Sequence, residues 1–303
     1  MILRAFLLTS LLVTIPIQAK PPVKPQSIAD VVAHCKPAVV AIGAVTTDKP
    51  PDEADVPILA QQSTPDGKTL YLYVSGTGFI VSADGYLITA QHVVGSVPGP
   101  IPIVMPDGKL KQAKVIIRST ERDFAILKMD GGNFPFLKFG KLDEIKEGDD
   151  LIFIGHAFAQ SHASTTKGIA SWIGQTDFGS GVQSNAIQLN AVVNSGNSGG
   201  PLLNPKTGNV IGIIKAKHGR LTPYLQQIKD GQIVMRGDVG GGGFTLSHFV
   251  KDVSDLLEWH LQLGIGYAVS GEYAEKELES IAKKPDATQA GAQERPAPAT
   301  TPK

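Results

Sequence analysis

The sequence predicts an all-β fold of the sandwich or barrel type. From Leu70 to about Ala216, short β-branched or apolar runs alternate with turn residues at even spacing over ~150 residues. Asp84-Gly85, Asp107-Gly108 and Thr207-Gly208 supply turn chemistry between those runs. Glycine (33) and proline (21) are abundant, which suits many tight turns.

The elements follow in order. Ser27 to Ala33 reads as a short helix, with Ser27 as N-cap and Asp30 three residues on. Pro37 ends it, and Ala38–Val45 forms the first strand. Thr46–Thr69 holds Pro50, Pro51, Pro57, Pro65 and several acids, and reads as a long loop. The expected strands are then Leu70–Val74, Thr77–Val81, Tyr86–Thr89, Ile101–Met105, Lys114–Arg118, Phe124–Met129, Leu151–Ile154, Gly168–Ile173, Ala186–Leu189 and Val210–Ala216. His218–Gly242 reads as a surface loop. Ser247–Leu263 carries Phe249, Val253, Leu256, Leu257 and Leu261 at helical spacing, so a C-terminal amphipathic helix is expected there. Ala274–Lys284 reads as a short charged helix. Pro285–Lys303, rich in Ala, Pro, Thr and Gln, reads as a disordered tail.

The bulk properties narrow the function classes. The 303 residues are ample for one large or two modest domains. The 28 basic and 28 acidic residues cancel, so no global field draws in nucleic acid or anionic membrane. Cys35 is the single cysteine, which rules out an internal disulfide and a cysteine metal site and leaves a buried or capped thiol as the expectation. At the start, Met1-Ile-Leu-Arg4 carries one positive charge, Ala5–Ile17 is almost wholly apolar, and Ala19 precedes Lys20. This reads as a secretory signal peptide cut after Ala19, giving an exported, periplasmic or secreted protein without stable membrane insertion.

The chemistry is carried by Asn194-Ser-Gly-Asn-Ser-Gly-Gly-Pro201. Acyl transfer needs an exposed hydroxyl beside backbone N–H groups aimed at a developing oxyanion. Glycines on both sides of Ser198 let the chain turn tightly enough to supply both. Ser198 is therefore the candidate nucleophile, with Gly196, Asn197 and Ser198 forming the oxyanion-hole segment. A serine hydroxyl is a poor nucleophile until a base takes its proton, and histidine suits that task at neutral pH. In Thr89-Ala90-Gln91-His92-Val93-Val94, His92 sits just past a strand and is the candidate base. A base also needs an acceptor that fixes its tautomer. Asp123 in Arg122-Asp123-Phe-Ala-Ile-Leu127, directly before an apolar strand, is the candidate for that part. His156 and His162 have the spacing of a metal pair, but no third ligand is evident, and neither metal nor cofactor is expected.

These three segments, in the order His, Asp, Ser, resemble the trypsin-like serine peptidases, and most of all the bacterial HtrA (Deg) group. The resemblance spans about Ala38–Gly264. It rests on Gly76-Thr-Gly-Phe-Ile80, Asp123-Phe-Ala-Ile-Leu127, Gly196-Asn-Ser-Gly-Gly-Pro-Leu-Leu203 and Gly208-Asn-Val-Ile-Gly-Ile213. It implies two six-stranded antiparallel β-barrels with the site in the cleft between them. His92 and Asp123 would come from the first barrel and Ser198 from the second. It also implies unfolded or extended polypeptide substrates, and a homotrimer built through N-terminal segments.

On this reading the chain divides into a signal peptide (1–19), a linker and short helix (20–36), a protease domain (37–264) and a charged segment with a tail (265–303). The barrels would cover about 37–140 and 141–246, and the helix 247–263. Only 39 residues follow Gly264, too few for the PDZ domain usual in the HtrA group. Asn190 stands where that group commonly has an acid.

Val192, Val193, Ile214, Lys215 and Ala216 are the candidate substrate-pocket residues. They offer no carboxylate, which predicts cleavage after small or medium apolar side chains. Two other readings stand beside the general endopeptidase: a narrow-specificity processing protease or virulence factor, and a catalytically silent peptide-binding or chaperone protein on the same fold.

Overall fold

The computed structural model describes residues 27–47, 58–95, 99–215 and 265–283. The expected signal peptide, the 247–263 helix and the tail lie outside the described residues, as do His218, His248, His260 and Ala216.

The chain enters through helix α1 (Ile28–Cys35), whose N-cap Ser27 accepts the Asp30 N–H. Strand β1 (Val39–Thr46) follows, then β2 (Ile58–Ser63), β3 (Thr69–Ile80), β4 (Tyr86–Thr89), the one-turn helix α2 (Gln91–Val94), β5 (Ile101–Val104), β6 (Leu110–Ser119) and β7 (Phe124–Met129). The antiparallel order β1-β5-β6-β7-β4-β3 closes through β1–β3 pairing into a six-stranded barrel. β3 is longer than the barrel needs. Its end near the barrel pairs with β4, and its outer half, Thr69–Tyr73, pairs with β2.

The second barrel comprises β8 (Asp150–Gly155), β9 (Ser164–Asp177), β10 (Gln183–Asn190), β11 (Pro201–Leu203), β12 (Val210–Lys215) and β13 (Ile265–Ser270), closed in the order β10-β13-β12-β11-β8-β9. Helix α3 (Glu272–Lys283) then packs back on the body. The expectation of two six-stranded antiparallel barrels holds.

Three apolar clusters explain the near-continuous hydrophobic runs. Residues on one face of a strand recur every second position. In β7, Ala125, Leu127 and Met129 fill the first barrel, while Phe124 and Ile126 face a cluster outside it. In β8, Leu151 and Phe153 fill the second barrel, while Ile152 and Ile154 join that same outer cluster. It therefore glues the barrels together. Val31 and Cys35 of α1 are buried in it, and Leu278 and Ile281 of α3 pack against it. The Cys35 thiol donates to the Gly208 carbonyl at 3.5 Å, and burial pushes its pKa up to about 11. It is an inert packing group.

The structure corrects the sequence reading in places. The 46–69 segment is not all loop, since β2 lies within it. Leu70–Val74 and Thr77–Val81 are one strand, β3. The barrel does not end before Gly264. β13 is its sixth strand, paired with both β10 and β12, so the assignment of 265–303 to a charged segment and tail fails for Ile265–Ser270. β11 was missed because Pro-Leu-Leu is too short to show a period.

Candidate active site

Asp123 introduces β7 with φ = 55°, a left-handed conformation that aspartate tolerates better than most residues. The turn aims its carboxylate at α2 of the same barrel. His92 N donates to Oδ1 at 3.0 Å, and His92 Nδ1 lies 2.8 Å from Oδ2 and 3.0 Å from Oδ1. An ionised carboxylate can only accept, so Nδ1 carries the proton and Nε2 keeps its lone pair. Asp123 is 6 % exposed. Burial works against its charge, but the hydrogen bond and charge of His92 and the charge of Lys215 outweigh burial and hold the pKa below the usual carboxylate value.

Ser198 follows the turn Asn194–Asn197 of the second barrel. Gly196 (φ 87°) and Gly199 (φ 84°) both lie in the left-handed region where glycine is favoured. A Cβ on Gly196 would collide with the His156 carbonyl, and one on Gly199 with the Thr77 carbonyl. Gly196 lets the nucleophile loop press against the His156–Ala159 turn of its own barrel, and Gly199 lets it press against the first barrel. The Ser198 carbonyl accepts from Thr77 N at 2.8 Å, and Gly199 N donates to the Ile214 carbonyl at 2.7 Å. A Cβ on Gly199 would lie 2.6 Å from Ala90 N, and one on Gly76 would lie 2.6 Å from Val93 and 3.1 Å from the Ser198 carbonyl. The loop carrying Ser198 and the turn carrying His92 are thus packed together.

Thr77 is the residue that sequence reasoning missed. Besides its bond to Ser198, its hydroxyl donates to the Gly196 carbonyl at 2.6 Å and accepts from His156 N at 2.9 Å. Its carbonyl accepts from Thr89 Oγ1 at 2.6 Å. The signal in the sequence was its place between Gly76 and Gly78. His156 is buried, with Nδ1 3.3 Å from the Thr77 hydroxyl, and burial pushes its pKa down to about 4. It is a neutral structural group beside the nucleophile loop.

In the oxyanion-hole segment, Phe158 N donates to the Ser195 carbonyl at 2.7 Å. A trans peptide points its N–H opposite its C=O, so Gly196 N–H points away from the Phe158 turn. Asn197 is corrected: its N–H is committed to the Asn194 carbonyl at 3.1 Å, and its side chain is buried. Of the pocket candidates, Val193 and Ile214 lie in the second-barrel core and are withdrawn as lining residues. Val192 is 41 % exposed. The ammonium of the pocket candidate Lys215 is engaged elsewhere: its Nζ lies 3.0 Å from Asp123 Oδ2.

The comparisons with known proteins bear on this arrangement. The family model described as a trypsin-like peptidase domain matches residues 76–213, the stretch holding His92, Asp123 and Ser198. A probable periplasmic serine endoprotease, DegP-like, of Chlamydia pneumoniae is 40% identical over 197 residues, covering 60% of this chain and 39% of that protein. A protein of the same description from Bartonella henselae is 28% identical over 274 residues, covering 77% of this chain and 53% of that one. The chain spans about half or less of the length of these relatives. Among solved structures, the HtrA-type protease AlgW with decapeptide superposes with a TM-score of 0.59 at 26% identity, covering 85% of this chain and 68% of that chain. The expected resemblance to the HtrA group holds. No helix among the described residues is long and apolar enough to cross a membrane.

Proposed function

We propose that this chain is a serine endopeptidase acting on extended or unfolded polypeptides in the bacterial periplasm, with Ser198 as nucleophile. The observation that carries the reading is the Asp123–His92 pair, which fixes the imidazole tautomer beside a glycine-framed serine loop. His92 Nε2 takes the Ser198 proton as Oγ attacks the scissile carbonyl. The oxyanion forms against the Gly196 and Ser198 N–H groups. The imidazolium then protonates the leaving amine, and water repeats the cycle on the acyl-enzyme. Asp123 stays ionised throughout and stabilises the imidazolium.

The periplasmic assignment is supported by the names of the relatives and by the amino-terminal sequence. Preference for small or medium apolar residues before the cut is supported by the exposed apolar side chain of Val192 and by the commitment of the Lys215 ammonium to Asp123. Incubating the full chain and its Ser198→Ala variant with unfolded β-casein tests the activity. Cleavage by the parent alone is the expected result, and cleavage by both would refute the assignment. A substrate-library scan favouring Arg or Lys before the cut would refute the pocket reading.

A further inference from the structure

Lys215 ends β12 in the second barrel, yet its ammonium sits 3.0 Å from Oδ2 of Asp123 in the first. It is not a loosely solvated lysine, since its side chain is 23% exposed. The Phe178 ring, from the turn between β9 and β10, lies 4.7 Å below Nζ, a cation–π distance. Phe178 is itself fixed edge-on to Tyr267, the β13 partner of Lys215, with ring centroids 6.0 Å apart. The ammonium is held between an aromatic face and a buried carboxylate.

Among the described residues, the groups facing that carboxylate are His92 from α2 and Lys215 from β12. Arg122 is turned away onto the Tyr273 ring, at 4.5 Å. Asp177, in the neighbouring turn, spends its carboxylate on the N–H groups of Gly179, Ser180 and Gly181. Asp123 thus shares one negative charge between two cation-forming partners. The Oδ2 atom that meets Nδ1 of His92 also meets Lys215.

We propose that Lys215 is a positioning residue of the triad, clamping Asp123 from across the barrel interface and lowering the proton affinity of His92. An imidazolium formed beside Asp123 feels the lysine charge as well as the carboxylate, and the carboxylate can offer less to the ring than an unshared one. The clamp also fixes the carboxylate rotamer and ties the second barrel to the element bearing the base. The inference rests on the endopeptidase reading for its catalytic meaning, but its geometry does not depend on turnover.

The test follows the His92 ring signal by NMR against pH in the full chain, in Lys215→Met and Lys215→Gln, which remove the charge, and in Lys215→Arg, which keeps it. The pH dependence of the fluorophosphonate labelling rate is measured alongside. Both neutral variants are expected to move the ring's midpoint and the acid limb of labelling upward by about one pH unit, the order of what one neighbouring charge contributes. Lys215→Arg is expected to leave both near the parent. A midpoint unmoved in whichever neutral variant folds, or moved as far in the arginine variant, overturns the proposal. A parent that does not label at all counts against the endopeptidase reading, and the ring titration still decides the role of Lys215.

Discussion

Thr77 of the first barrel donates its backbone N–H to the carbonyl of Ser198 in the second, at 2.8 Å, while its hydroxyl donates to the Gly196 carbonyl at 2.6 Å. One residue therefore holds both ends of the segment that would supply the nucleophile and the oxyanion hole. The barrels are joined at the site by buried directional bonds as well as by the apolar cluster behind it.

Thr77→Val keeps the shape and removes the hydroxyl, leaving the Gly196 carbonyl and the His156 N–H without that partner. Each buried group left unpaired costs about 1–3 kcal/mol. The variant is expected to unfold at lower denaturant and to label with fluorophosphonate more slowly. Thr77→Ser, which keeps the hydroxyl, should stay close to the parent in both. Denaturant melts with parallel labelling check it.

Gly196→Ala places a methyl group against the His156 carbonyl in a left-handed backbone. The 195–196 peptide must shift to relieve it, carrying the Gly196 N–H with it. Loss of one oxyanion donor costs roughly 10²–10³ in kcat. Steady-state kinetics on an unfolded substrate should show that loss, with the far-ultraviolet spectrum unchanged.

His156 supplies a pH dependence of stability. Its folded pKa, about 4, lies below the ordinary histidine value of 6.5, so the unfolded chain binds the extra proton first. The stability contributed by the neutral buried ring is full above pH 6.5 and is lost as pH falls from 6.5 toward 4. The slope across that window is one proton, about 1.4 kcal/mol per pH unit. Asp123 acts lower down. Its depressed pKa contributes stability that is present above the ordinary carboxylate range and lost as pH falls through the folded value. Denaturant unfolding between pH 7 and 4.5 should show the histidine slope, and His156→Gln should flatten it.

Much of this was legible in the sequence for physical reasons. Phe124–Met129 matched its strand residue for residue, because burial on both faces leaves an unbroken apolar run between turn residues. The Ser198 loop was legible because its glycines are demanded by backbone conformation. β2 was not legible, because Ile58–Ser63 is largely exposed and its pattern carries no period. β13 was hidden by the apparent boundary at Gly264, although Tyr267, Ala268 and Val269 pack or pair in the barrel. Lys215 and Thr77 escaped because their roles are contacts across the barrel interface. Nothing local distinguishes a lysine that meets a buried carboxylate from one in water.

Whether Ser198 is the nucleophile is decided by locating the fluorophosphonate adduct on the full chain by peptide mass mapping. A single adduct on Ser198 is expected, absent from Ser198→Ala and reduced roughly 10³-fold or more in His92→Ala. An adduct on another residue, or labelling of Ser198 that His92→Ala leaves unchanged, would contradict that assignment.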